Sequence, residues 1–193
     1  MKRFSIFTVI AATLALAACA PLVTQNPGGS ISPANVVALD GNDRVMLKGA
    51  DVVAYFTQNA YVQGMPTINS EYQKIKFYFS TPEHKSLFDK EPAKYIPLYG
   101  GFCANGMAYG IPWGGDADTW RIFDGKLYIF GGAQSRDAFL LDVSRNRQYA
   151  ERYWNEEVNG SNALAQRTKR MMFKVPHYKS DGEVAAELAK ARK

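Results

Sequence analysis

Residues 71–80 read EYQKIKFYFS and run directly into Thr81-Pro82-Glu83. Ile75, Phe77 and Phe79 alternate with Tyr72, Lys74, Lys76 and Tyr78, the period-two pattern of a strand that buries one face. The pattern breaks at Ser80-Thr81-Pro82-Glu83. There a hydroxyl can accept from the free amides of a first helical turn, and proline fits because its missing N–H would have no partner. The spacing predicts a helix to about Lys90, stopped before Pro92, with a second short helical piece at 93–95. A strand that passes straight into a helix sets the expectation of a single α+β domain: a small antiparallel sheet with helices packed on one side.

The flanks extend this reading. Asp124-Gly125 separates Trp120-Arg121-Ile122-Phe123 from Lys126-Leu127-Tyr128-Ile129-Phe130, a strong two-residue hairpin signal. Helical patterning resumes over 135–141 and again over 145–157, where Tyr149, Tyr153 and Trp154 fall on one face. Residues 45–56 are β-compatible but interrupted by Gly49. A faint internal echo relates Phe77-Tyr78-Phe79, Leu87-Phe88-Asp89 and Tyr95 to Leu127-Tyr128-Ile129, Leu140-Leu141-Asp142 and Tyr149.

Composition bounds the rest. The chain has 193 residues, 47% hydrophobic and 21% charged, close to the globular average, which excludes a disordered, collagenous or coiled-coil chain. Eleven Tyr, eleven Phe and three Trp promise an aromatic core. Two His and two Cys exclude most multi-ligand zinc sites and any disulfide network.

Lys2 and Arg3 precede an apolar run from Phe4 to Ala18 that is too short to span a bilayer but suits a secretory signal. The run ends Leu16-Ala17-Ala18-Cys19, which resembles the lipobox of bacterial lipoproteins. The resemblance implies that Cys19 is acylated and, since Ala20 rather than Asp follows, that the protein sits lipid-anchored in the outer membrane, facing the periplasm. Cys103 would then be the one free thiol in an oxidising compartment. The expected organisation is a signal peptide over 1–18, a flexible Pro/Gly/Ser/Asn-rich tether over 19–43, the α+β domain over 44–160 and a basic, partly helical extension over 161–193. Residues 1–162 carry 15 Lys/Arg against 15 Asp/Glu, and residues 163–193 carry 8 against 3, hence the whole net charge of +5. That extension reads either as a solvated helix or as a contact to an anionic envelope surface or an envelope protein. Nucleic acid is not an expected partner.

Four ordered blocks resemble secreted YHS-domain proteins: Gly49-Ala50-Asp51-Val52-Val53-Ala54-Tyr55-Phe56; Phe77-Tyr78-Phe79-Ser80 with Phe88 and residues 92–95; Tyr99-Gly100-Gly101-Phe102-Cys103-Ala104; and Trp120-Arg121-Ile122-Phe123-Asp124-Gly125-Lys126-Leu127-Tyr128. They cover about residues 45–155. Some YHS modules are proposed to bind metal through two cysteines four residues apart. Ser80 and His84 stand at those positions here, so a tetrahedral thiolate zinc site is not expected.

The candidate ligand-binding residues are Cys103, Asp51, Tyr55, Tyr99 and Trp120, with Tyr78 and Trp113 as further pocket aromatics. Cys103 lies among glycines that permit close approach, and reads as a soft-metal ligand, a haem ligand, a reactive thiol or a small buried hydrophobe. His84, read as a surface residue, could join Cys103 as a Cu or Zn ligand pair if Met65, Met107 or Asp51 supplied a third donor. Asp51 reads as a turn acceptor or a base. Asp116 and Asp118 offer too few carboxylates for Ca²⁺, and residues 110–116 lack the Lys-Ser/Thr ending of a phosphate loop. Two functions remain open. One is a non-enzymatic envelope lipoprotein that binds a small ligand, a metal or a protein partner; the other is a thiol- or metal-dependent redox enzyme using Cys103.

Overall fold

The computed structural model describes residues 25, 26 and 28–192. The signal segment and Cys19 lie outside the described residues. The architecture is α+β, with a four-stranded sheet, a two-stranded sheet and helices packed against both. The elements are β1 (Val36–Leu39), β2 (Asn42–Met46), α1 (Ala54–Thr57), β3 (Met65–Tyr72), β4 (Ile75–Phe79), α2 (Pro82–Lys90), α3 (Pro92–Tyr95), α4 (Ala104–Met107), β5 (Asp116–Phe123), β6 (Lys126–Phe130), α5 (Ala133–Leu140), α6 (Val143–Tyr153), α7 (Ala163–Met172) and α8 (Asp181–Ala191). The larger sheet has the order β1-β2-β4-β3, and the smaller pairs β5 with β6. One feature departs from an antiparallel sheet: β2 meets β4 in parallel at Val45 and Lys76.

The predicted helix is α2. Thr81 caps it by accepting from the His84 N–H at 3.1 Å, and Pro82 occupies its first turn. The strand expected over 71–80 is instead a hairpin. Gln73 and Lys74 turn at φ +52° and +62°, so residue 72 belongs to β3 and residue 75 opens β4. Tyr78, placed on the polar face by its alternation, is 1% exposed. The cause is position: β4 lies between β2 and β3, and both its faces are covered.

The described part of the segment read as a tether is folded into the domain. Asn26 and Ala34 are buried, Ile31 packs on the core, Asn35 reaches the Gly101 and Gly115 carbonyls, and β1 and the start of β2 join the sheet. The apolar side chains Ile31, Ala34 and Val36 outweigh the loop-like composition around them.

In the backbone the faint echo resolves into a shift of 51 residues between the two hairpins and the helix starts that follow them. β3 and β5 each have eight residues and end in a two-residue turn, at Gln73-Lys74 (φ +52°, +62°) and Asp124-Gly125 (φ +50°, +69°). Each is followed by a five-residue strand, a two-residue gap and a helix. Both hairpins carry the same irregularity: Met65 opposes Phe79 and Asn69 opposes Tyr78, as Asp116 opposes Phe130 and Trp120 opposes Ile129. The tight 3₁₀ turns Leu47–Gly49 and Leu98–Gly101 also correspond, with Lys48 and Tyr99 at φ +57° and +55°. The cores match too. Phe88 packs 4.7 Å from Phe77 and 5.1 Å from Phe79, while Phe139 packs 6.0 Å from Tyr128 and 5.4 Å from Phe130, centroid to centroid. Across residues 45–95 and 96–146 only Leu47/Leu98, Gly49/Gly100, Gly64/Gly115, Phe79/Phe130 and Phe88/Phe139 are identical. The first unit carries β1 and β2 at its sheet edge, and the second carries α6 and the C-terminal helices.

Candidate functional site

In the first unit the equivalent of the candidate site is closed by a polar clasp. Asp51 is wholly buried. Its Oδ1 accepts from the Val53 and Ala54 amides at 3.0 and 3.3 Å, capping α1, while its Oδ2 accepts from the Ser80 N–H and Oγ–H at 2.7 and 2.6 Å. His84 completes it: Nδ1 lies 2.7 Å from Asp51 Oδ2, and Nε2 lies 3.0 Å from Thr57 Oγ, which itself donates to the Val53 carbonyl at 3.1 Å. His84 is therefore a buried residue (7% exposed), contrary to the surface placement expected. The Asp–His–hydroxyl order is that of a nucleophile relay. Here the five donors on Asp51 tie α1, the end of β4 and the start of α2 together, and the Thr57 proton is spent within its own helix.

In the second unit the matching positions are Phe102 for Asp51, Gly131 for Ser80 and Ser135 for His84. Smaller groups replace the clasp at two of the three, and a cavity of about 460 Å³ opens there. Cys103 sits at its base. The tight turn Leu98–Gly101 delivers it, and Gly100 is required in that turn because a Cβ would stand 2.4 Å from the Pro33 carbonyl oxygen. The Cys103 N–H donates to the Trp113 carbonyl at 2.9 Å, its Sγ accepts from the Gly106 N–H at 3.4 Å, and Ser135 Oγ lies 3.0 Å from the sulfur. The thiol is free and 2% exposed.

Asn105, Tyr109, Trp113, Ser135, Tyr178 and Asp181 line the cavity. Asn105 is 9% exposed, and its side-chain amide has no hydrogen-bond partner among the described residues. The amide lines the cavity, where a ligand able to donate and accept could pair with it. Burial, then the nearby Tyr178 and Glu187, push the Tyr109 hydroxyl above its ordinary range, keeping it a protonated donor. Behind Asn105 and Tyr109 a second cavity of about 310 Å³ reaches Tyr149, His177 and Glu187.

The C-terminal extension is a wall of this site. His177 stacks on Tyr149 at 3.7 Å between centroids, with Nε2 2.9 Å from the Ala108 carbonyl oxygen, so Nε2–H donates. Val184 and Leu188 of α8 bury against Ala138 of α5, and Gln134 Nε2 donates to the Asp181 carbonyl at 3.2 Å.

The remaining sequence candidates scatter. Tyr55 donates to the Ala117 carbonyl at 2.6 Å and packs 5.0 Å from Trp120, bracing the two units, and burial raises its hydroxyl pKa first of all. Tyr99 packs on Tyr128 and Trp154. Both are core. Only Cys103 and Trp113 of the predicted set share the cavity. The proposed Cu or Zn pair is not assembled: His84 bonds Asp51 in the first unit, Cys103 lies in the second, Met107 is fully buried in the second unit's core and Met65 is exposed. Among the described residues no three His, Cys, Asp or Glu side chains are grouped to hold a metal, and no helix is long and apolar enough to cross a membrane. Sequence reasoning missed Asn105, Tyr109, Ser135, Tyr178 and Asp181. The signal that finds Ser135 is the 51-residue register, which pairs it with His84. Comparison with protein-family models, curated proteins and solved structures found no match to this chain.

Proposed function

We propose that this is a non-enzymatic, lipid-anchored binding protein of the bacterial outer membrane, which takes a small ligand in the Cys103 cavity on the periplasmic side. The observation that carries the reading is a cavity of about 460 Å³ lined by Asn105, whose side-chain amide has no hydrogen-bond partner among the described residues. A pocket with apolar aromatic walls and a few convergent polar groups is the usual form of a small-molecule site. The lipobox-like Leu16-Ala17-Ala18-Cys19 supports the anchor, and the four blocks similar to secreted YHS-domain proteins support an envelope module.

The test is mass spectrometry and elemental analysis of the full chain purified natively from membranes. The expected result is an acylated Cys19 and a small molecule released on denaturation, lost from the Ser135→His protein, which places at the cavity the side chain the first unit carries in its clasp. A wild-type protein that releases nothing, or a variant that releases the same molecule, overturns the ligand reading.

A second reading has one specific observation behind it. Ser135 Oγ at 3.0 Å and the Gly106 N–H both face the Cys103 sulfur, which lines the same cavity and could meet a small reactant there. A redox role predicts rapid alkylation of Cys103 in the folded chain. A Cys103 that reacts only after denaturation excludes it.

A further inference from the structure

The end of α7 and the residue after it present Met171, Met172 and Phe173, which are 65%, 71% and 66% exposed. Leu164, one face of the helix earlier and 50% exposed, continues the patch, since positions 164, 168, 171 and 172 lie on one side of an α-helix. Single exposed apolar residues are ordinary, but three large ones in succession are not.

The helix cannot turn them inward. Its other face is pinned: Gln166 donates to the Gly110 carbonyl at 3.0 Å, Arg167 donates to the Pro112 carbonyl at 2.8 Å, and Arg170 and Lys169 both pair with Glu157. Burial raises the Glu157 carboxyl, but hydrogen bonds from Lys169 and Gln166 and the charges of Arg170 and Lys169 outweigh it and hold the group below its usual range. The clamp therefore persists at neutral pH.

Charge identifies what the patch meets. From residue 159 to 180 the chain carries Arg167, Lys169, Arg170, Lys174 and Lys179 and no acidic residue; Lys169 and Arg170 share Glu157 and Lys179 pairs with Glu187, which leaves the segment a positive excess. Lys174 adjoins the apolar tip and is exposed. Apolar side chains projecting beside an exposed cation, on a segment of positive excess, match the two layers of an anionic bilayer surface, acyl chains beneath phosphodiester headgroups.

We infer that Met171, Met172 and Phe173 insert into an anionic phospholipid surface, with Lys174 against its headgroups. This contact is separate from the anchor at Cys19 and from the cavity.

The experiment compares two full chains, both carrying Cys19→Ser so that no acyl group contributes, one of them also carrying Met171→Ser, Met172→Ser and Phe173→Ser. Each is sedimented with vesicles of phosphatidylglycerol and phosphatidylcholine, and with vesicles of phosphatidylcholine alone. The expected result is at least tenfold weaker partitioning of the serine variant onto anionic vesicles, with an unchanged circular dichroism spectrum. For the parent chain the expectation is weaker binding to neutral vesicles and to anionic vesicles in high salt. Equal binding of the two chains overturns the inference, as does equal binding of the parent to both vesicle types. A lipid-free dimer that the serine substitutions dissolve assigns the patch to a second copy and also overturns it.

Discussion

The two 51-residue-related units share turns, register and aromatic packing, yet differ at the one place where each could do chemistry. The first fills it with Asp51, Ser80 and His84, every polar atom of the carboxylate answered. The second puts Phe102, Gly131 and Ser135 at those positions and leaves a cavity beside a thiol and an unanswered amide. A fold that is held by a polar network in one copy and by apolar packing in the other can give up the second copy's interior to a ligand, because the backbone there depends on Phe130, Phe139 and Tyr128 rather than on the clasp.

The comparison is broken most severely at Asp51. Asp51→Ala orphans the His84 ring, the Ser80 groups and the α1 amides, and should cost on the order of 3–5 kcal/mol, as for a buried pair that loses one member, read from the midpoint of urea unfolding. A cost below about 1 kcal/mol would mean that the clasp is dispensable and that the two units are held alike.

The matched aromatics sharpen the equivalence from the other side. Phe88→Ala and Phe139→Ala should each cost about 3–5 kcal/mol, and the two values should agree within the scatter of such sites. A Phe139 variant that is far milder would show the second unit to be loosely packed around its cavity.

The smallest expected effect separates the helix starts. Thr81→Ala removes the side-chain cap of α2 and should cost about 1 kcal/mol. At the corresponding start of α5, Gly132 stands at φ +99° without a side-chain cap, so the second unit has no equivalent loss to suffer.

Legibility in the sequence followed local chemistry. Asp124-Gly125 announces its hairpin because both residues tolerate positive φ. Its twin at Gln73-Lys74 adopts the same turn with neither residue favouring it, so the tertiary pairing of β3 with β4 imposes the conformation and the sequence reads as one continuous strand. Thr81-Pro82 announced α2 directly. The repeat was visible only as an echo whose pairs stand at offsets of 50, 53 and 54, since five identities in 51 positions do not fix an offset that the backbone fixes at once. The site was the least legible part. Cys103 and Trp113 stood out by type, but Asn105 and Ser135 gain meaning only when the fold leaves one unpartnered and sets the other against the sulfur. The C-terminal extension, read as an appendage by its charge, proved to be a wall by virtue of Tyr178, Asp181 and Val184.

That wall has a temporal consequence. Residues 177–184 follow both repeats along the chain, so on the proposed secretory route they are the later to reach the compartment where the domain folds. The aromatic cores can close before the cavity has its last side, and on the proposed ligand-binding role a chain ending short of residue 177 would fold yet fail to retain its ligand.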